Sequence, residues 1–127
     1  MRPSLALQNH RDAVRIHDYS EHISEAIERI DRYVLGMTET NFLAEEKTQD
    51  AVIRNLEIIG EAAHNMGRYH PVFAAEHPQV PWAILYALRN RLSQGYYKVD
   101  LELLWRVIHC DLLELYVQTC PLRNSLA

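Results

Sequence analysis

The stretch AVIRNLEIIGEAAHN, residues 51–65, decides the fold class. Val52, Leu56, Ile59, Ala63 and, just beyond it, Met66 recur at three- and four-residue steps. That spacing puts them on one face of an α-helix, whereas a strand would need strict alternation. A helix is therefore predicted from Thr48 to Met66. Gly60 falls inside it, at a cost of up to about 1 kcal/mol relative to Ala. A glycine there permits close approach of a neighbouring helix, and Gly67 is read as the C-terminal stop.

The same periodicity extends in both directions. Upstream, Ile16, Tyr19, Ile23, Ala26, Ile27, Ile30, Tyr33 and Val34 mark a long helix from His10 to Met37, ended by Gly36 and Thr38–Thr40. Residues 1–9 read as a flexible leader, and NFLAEE as a short helical connector. Downstream, His70–Pro71 opens a short helix that Pro78 closes. Pro81 opens another over 81–94, with Ile84, Leu85, Leu88 and Leu92 on one face and Gly95 as its stop. Asp100 is placed to cap a last helix over 101–119, striped by Leu101, Leu104, Ile108, Leu112 and Leu115 and stopped by Pro121. With no competing strand pattern and short connections, the chain reads as one all-α domain over 1–127, an antiparallel helical bundle.

Composition agrees. Of 127 residues, 48% are hydrophobic and 24% charged, with only four Gly and five Pro, which favours a folded helical domain over disorder. No apolar run approaches the roughly 20 residues of a membrane-spanning helix. The first residues lack a secretory apolar stretch, so a cytoplasmic location is expected and Cys110 and Cys120 are read as free thiols. A formal charge of −4 argues against a general nucleic-acid coat. The charge is uneven, however. Residues 38–61 carry six acids, and Arg89, Arg91, Lys98 and Arg106 dominate 85–106, the stretch better suited to RNA.

Chemistry points to the same place, RNRLSQGYYKVD at 89–100. The stretch resembles the HEPN ribonuclease motif: an Arg, four residues, a His, then one residue and a Tyr. Arg89, Asn90 and Tyr96 match, while Gln94 stands at the His position. Residues 51–65, Pro81–Trp82, ALRNRL (87–92), GYYKVD (95–100) and Trp105 before a Leu-rich helix extend the likeness to HepT-like proteins over about 10–118. The resemblance implies a homodimeric HEPN-type bundle and a metal-independent RNA endonuclease with no cofactor. It implies Arg89, Asn90 and position 94 as the catalytic group. It also implies a toxin–antitoxin setting, in which a minimal nucleotidyltransferase antitoxin transfers AMP to Tyr96. Arg91 and Lys98 are candidates for RNA phosphates.

The spacing has consequences of its own. Five residues along a helix turn about 500°, leaving Arg89 and position 94 about 140° apart, whereas Asn90 and 94 share a face. A long Arg side chain, or a two-fold axis joining two such helix ends, would gather them. Gln94 can hydrogen-bond but does not titrate near neutrality, so weak or absent catalysis is expected. Two origins fit it: a native loss of the His, or a deliberate substitution that disarms a toxin, the second being preferred. The alternative is an inactive HEPN domain that binds RNA, nucleotide or a nucleotidyltransferase.

Elsewhere the plainer readings hold. Glu57 and Glu61, four apart, could seat a metal but are read as a solvated face. His17 and His22 are five apart, and no His pair has zinc spacing, so no metal is assigned. On pattern alone, Arg89 is an ordinary surface arginine and Tyr96 or Tyr97 a core aromatic.

Overall fold

The computed structural model describes the backbone of residues 5–94 and 100–124, and the side chains of 10–94 and 100–122. Among the described residues there are helices and no strands. In chain order they are α1 (Leu5–Val34), α2 (Glu39–Ala44), α3 (Glu46–Tyr69), α4 (Pro71–Glu76), α5 (Trp82–Ser93), α6 (Leu101–Arg106) and α7 (Leu112–Thr119). A π-helical turn, Val107–Asp111, joins α6 to α7, and a 3-10 segment, Cys120–Asn124, follows. The all-α expectation is met.

Helix ends follow local chemistry more closely than stripe counting did. α1 begins at Leu5, ahead of the expected His10, because Leu5, Ala6, Leu7 and Gln8 are good helix formers. The leader expected over 1–9 is therefore helical from Leu5 on, and residues 1–4 lie outside the described residues. Gly36 ends α1 as expected, at φ 76°, a conformation costly for any residue with a Cβ. The Thr38 side chain accepts from the Asn41 N–H and starts α2. Gly67 does not stop α3: its φ is negative, and the helix runs on to Tyr69. Pro71 sets that boundary by pushing His70 out of the helical region, to φ −135° and ψ 57°. Asp100 caps α6 as expected, its carboxylate accepting from the Leu103 N–H at 3.1 Å.

α3 packs between α1 and α5. One continuous core takes Ile23, Ala26, Ile27 and Ile30 from α1 and Val52, Leu56 and Ile59 from α3. Leu104, Ile108, Leu112 and Leu115 of the last helical run join it, as do Phe42, Val80 and Leu92. The Arg29 Nε donates to Asn55 Oδ1 at 2.7 Å, and the Asn55 amide donates to the Ala51 carbonyl at 2.8 Å. Asn55 is buried, and these bonds offset its desolvation while fixing α1 against α3. The Tyr116 hydroxyl donates to Glu28 Oε1 at 2.9 Å and ties α7 to α1. Trp82 Nε1 lies 3.1 Å from the Ala74 carbonyl and 3.2 Å from that of His77, anchoring the start of α5 on the end of α4. The stripe expected on α5 is only partly core, since Leu92 is buried and Ile84 is 71% exposed.

Candidate active site

α5 lies antiparallel to α3, and three side-chain pairs record the register. Ser93 Oγ donates to Glu57 Oε2 at 3.1 Å. Arg89 Nη2 stands 3.1 Å from Glu61 Oε2. The rings of His64 and Tyr86 stack with centroids 3.9 Å apart. Steps of four and three on α3 meet steps of four and three on α5, running the other way.

Gly60 makes this contact possible. A Cβ at position 60 would lie 2.2 Å from Arg89 Cβ and 2.7 Å from the Leu85 carbonyl oxygen. The close approach expected at this glycine therefore exists, and the helix that approaches is the one carrying the Arg89 motif. The root of Arg89 occupies the space that a side chain at 60 would fill. Its guanidinium is held at both terminal nitrogens: Nη1 donates to Asn90 Oδ1 at 2.9 Å, and Nη2 is ion-paired with Glu61. The Arg89 side chain stays 34% exposed, so solvent, or a phosphate, can reach it.

Glu57 and Glu61 keep to a solvated face, the Glu61 side chain 49% exposed, yet both have partners there. They flank the α3–α5 seam, where a hydroxyl and a guanidinium on α5 give them partners. The signal was present in the sequence, because 57, 61 and 64 on one helix match 86, 89 and 93 on another. It becomes legible only once the two helices are known to run antiparallel in contact.

The remaining candidates are distributed around the end of α5. Gln94 is its C-terminal cap, with its backbone N–H donating to the Asn90 carbonyl at 3.2 Å and its side chain exposed. Asn90 touches Arg89 and lies one turn before Gln94 on the same face of the helix. Arg91 does not join them. Two residues from Arg89, it is turned about 200° around the helix and lines a different feature, an apolar groove of about 460 Å³. Leu56, Ile84, Leu85, Leu88, Leu112 and Leu115 also line that groove. Tyr96 and Lys98 lie outside the described residues, as does Gly95.

Two further observations bear on metals and thiols. His17, Asp18 and Glu21 on α1 bring one ligand atom each within 4.8 Å of one another, with His17 Nε2 3.5 Å from Glu21 Oε2. The grouping is a His–carboxylate one, with no second histidine in it. The i,i+4 contact between His17 and Glu21 is sufficient to explain it. Cys110 and Cys120 are free thiols.

Residues 23–120 match the family described as Ribonuclease HepT-like. The chain belongs to the HepT-like ribonuclease family. It is 41% identical over 95 residues to a Thermococcus cleftensis protein named "Probable ribonuclease HepT", covering 75% of this chain and 84% of that one. A Methanocaldococcus jannaschii protein named "Gamma-glutamylcyclotransferase and putative RNase" is 39% identical over 108 residues. That match covers 85% of this chain but 47% of the longer relative, so the chain spans about half of it. A second protein of that organism, named "Putative RNase", is 36% identical over 93 residues, 73% of this chain and 71% of its own length. No solved structure matches the chain.

Proposed function

We propose that the chain is the toxin component of a HEPN-type toxin–antitoxin pair, a single-domain, cytoplasmic, metal-independent RNA endonuclease scaffold over 1–127 that works as a homodimer. The observation that carries this reading is the placement of Arg89. In a chain of a ribonuclease family, it is held at both terminal nitrogens beside the end of α5, with its side chain still reachable. In the reaction the ribose 2′-oxygen attacks the adjacent phosphorus, the bond to the 5′-oxygen breaks, and negative charge grows on the phosphoryl oxygens. Arg89 stabilises that charge with donors already in place. Asn90 holds Arg89. Position 94, at a helix C-terminus, suits a protonated His that moves the proton, and Gln94 supplies only hydrogen bonds. This chain is therefore catalytically impaired. Lys98 contacts a flanking phosphate, whereas Arg91, turned onto the groove on the other side of α5, is left out of the phosphate-binding set.

The homodimer is supported by the apolar groove along α5 and by the exposed Ile84 beside it. A cognate nucleotidyltransferase antitoxin transfers AMP to Tyr96, two residues past Gln94. The adduct's phosphodiester charge and adenosine bulk then block the cleft to RNA. No helix among the described residues is long and apolar enough to cross a membrane.

Gln94→His tests the reading. The variant should cleave RNA in the presence of chelator at least about 100-fold faster than the parent, the usual worth of a proton-transfer group. Adding Arg89→Ala should abolish the gain. If Gln94→His is no faster than the parent on several RNA substrates, the endonuclease reading fails. The second reading, a HEPN domain that binds RNA, nucleotide or a nucleotidyltransferase without chemistry, has the non-titrating Gln94 in its favour.

A further inference from the structure

We propose that Glu61 is a positioning residue for Arg89: through the contact between Glu61 Oε2 and Arg89 Nη2, it presets the guanidinium to receive an RNA phosphate. The inference rests on the reading of Arg89 as the phosphate-binding arginine.

Three observations lead to it. First, the side chain is fixed at its root. Arg89 Cβ and Cγ lie 2.2 and 3.1 Å from where a Cβ on Gly60 would be, so α3 confines the base of the chain. Second, it is fixed at its tip from two directions. Asn90 Oδ1 takes Nη1 at 2.9 Å along α5, and Glu61 Oε2 takes Nη2 at 3.1 Å across from α3. A guanidinium carries five N–H groups in a rigid fork, so engaging one direction at each terminal nitrogen leaves donors for a phosphate. Third, neighbours fix the register of the carboxylate. Glu57 holds Ser93 one turn away along α3, and His64 stacks on Tyr86 one turn the other way. Glu61 therefore meets Arg89 at a set height.

An arginine ordered before the substrate arrives loses less conformational freedom on binding. The opposite role is also chemically conceivable: a carboxylate 3.1 Å from the guanidinium repels a phosphate and competes with it. The two roles make opposite forecasts for two conservative changes. Glu61→Asp keeps the charge and shortens the reach, whereas Glu61→Gln keeps the reach and removes the charge.

The experiment uses the chain as it stands and a 2′-O-methyl RNA oligonucleotide, which lacks the attacking hydroxyl. Binding is followed by fluorescence anisotropy at one fixed salt concentration, because such affinities depend steeply on salt. Arg89→Ala should weaken binding roughly tenfold, the loss of one charge-assisted phosphate contact. Glu61→Asp should weaken it roughly fivefold, and Glu61→Gln should stay within about twofold of the parent. Glu61→Asp combined with Arg89→Ala should be no weaker than Arg89→Ala alone, as a residue acting through Arg89 requires. The Arg89 Nε–H resonance should be sharp in the parent and in Glu61→Gln, and broadened in Glu61→Asp.

If Glu61→Asp binds like the parent while Glu61→Gln binds more tightly, Glu61 competes with phosphate. The positioning role then falls and the reading of Arg89 survives. If Arg89→Ala binds like the parent, the assignment of Arg89 falls and this inference falls with it.

Discussion

At position 60 one hydrogen atom decides whether α3 and α5 can touch. Gly60→Ala gains up to about 1 kcal/mol of intrinsic helix preference. It also forces a methyl against Arg89 Cβ and the Leu85 carbonyl, neither of which is the loose end of a side chain. Overpacking of this kind costs about 1–3 kcal/mol or more, so the net change should be destabilising by roughly 1–2 kcal/mol. A lower urea midpoint with an unchanged slope is expected, and a midpoint at or above the parent's would refute the packing argument. The need for glycine could be read from the sequence, because an unfavourable residue mid-helix wants a reason. Which helix profits from it could not, since periodicity along one helix does not name its neighbour. The same gap hid Glu57 and Glu61. Their partners, Ser93 and Arg89, are 36 and 28 residues downstream.

Between helices, the prolines proved clearer signals than the glycines. His70 stops α3 because Pro71 follows it, while Gly67 passes inside the helix with negative φ. The buried run Leu104, Ile108, Leu112 and Leu115 is legible in the apolar stripe, whereas the π-helical turn at Val107–Asp111 is not. A widened turn leaves the order of apolar residues almost unchanged, so periodicity is a poor detector of it. On α5 the stripe was visible, but its burial was not: Leu85 and Leu88 line an open groove and Ile84 faces solvent. The tie between α7 and α1 yields a pH prediction. Tyr116 donates to Glu28, and losing that proton would break the bond and set two negative charges together. Glu28 first, then Cys120 and burial, hold the phenol above its ordinary value near 10. Its contribution to stability is therefore complete below the unfolded value and is lost as pH rises through the folded one. Urea midpoints taken at about pH 8 and about pH 11 should fall further for the parent than for Tyr116→Phe. Equal losses would show that the tie carries no alkaline sensitivity.

For the molecule as a whole, an acidic surface and an open apolar groove pull in different directions. The net charge of −4 keeps copies apart in general. The groove between α5 and α7, with Ile84 beside it, offers one place where apolar area can be removed from water. If that groove seats the second copy, Ile84→Glu should convert the dimer to a folded monomer in light scattering. A dimer that survives the change would move the interface elsewhere, and a parent that is itself monomeric would remove it. α1 has a consequence of a different kind. Its 30 residues make a rod of about 45 Å, yet none of residues 10–19 is fully buried and the core begins at Ser20. Ser20 itself turns its hydroxyl back to the Ile16 carbonyl at 2.8 Å, a bond that tends to bend a helix at that point. α1 is thus fully clamped only from Ser20 onward; just before it the helix is half-buried, with Tyr19 packed on the core and beside the His70 ring. The stretch before Ser20 is about the length at which a helix on its own is marginal in water, so it depends on those partial contacts. Deuterium should therefore enter α1 at two rates, quickly at amides before Ser20 and far more slowly after it, with the step between them marking where the clamp begins.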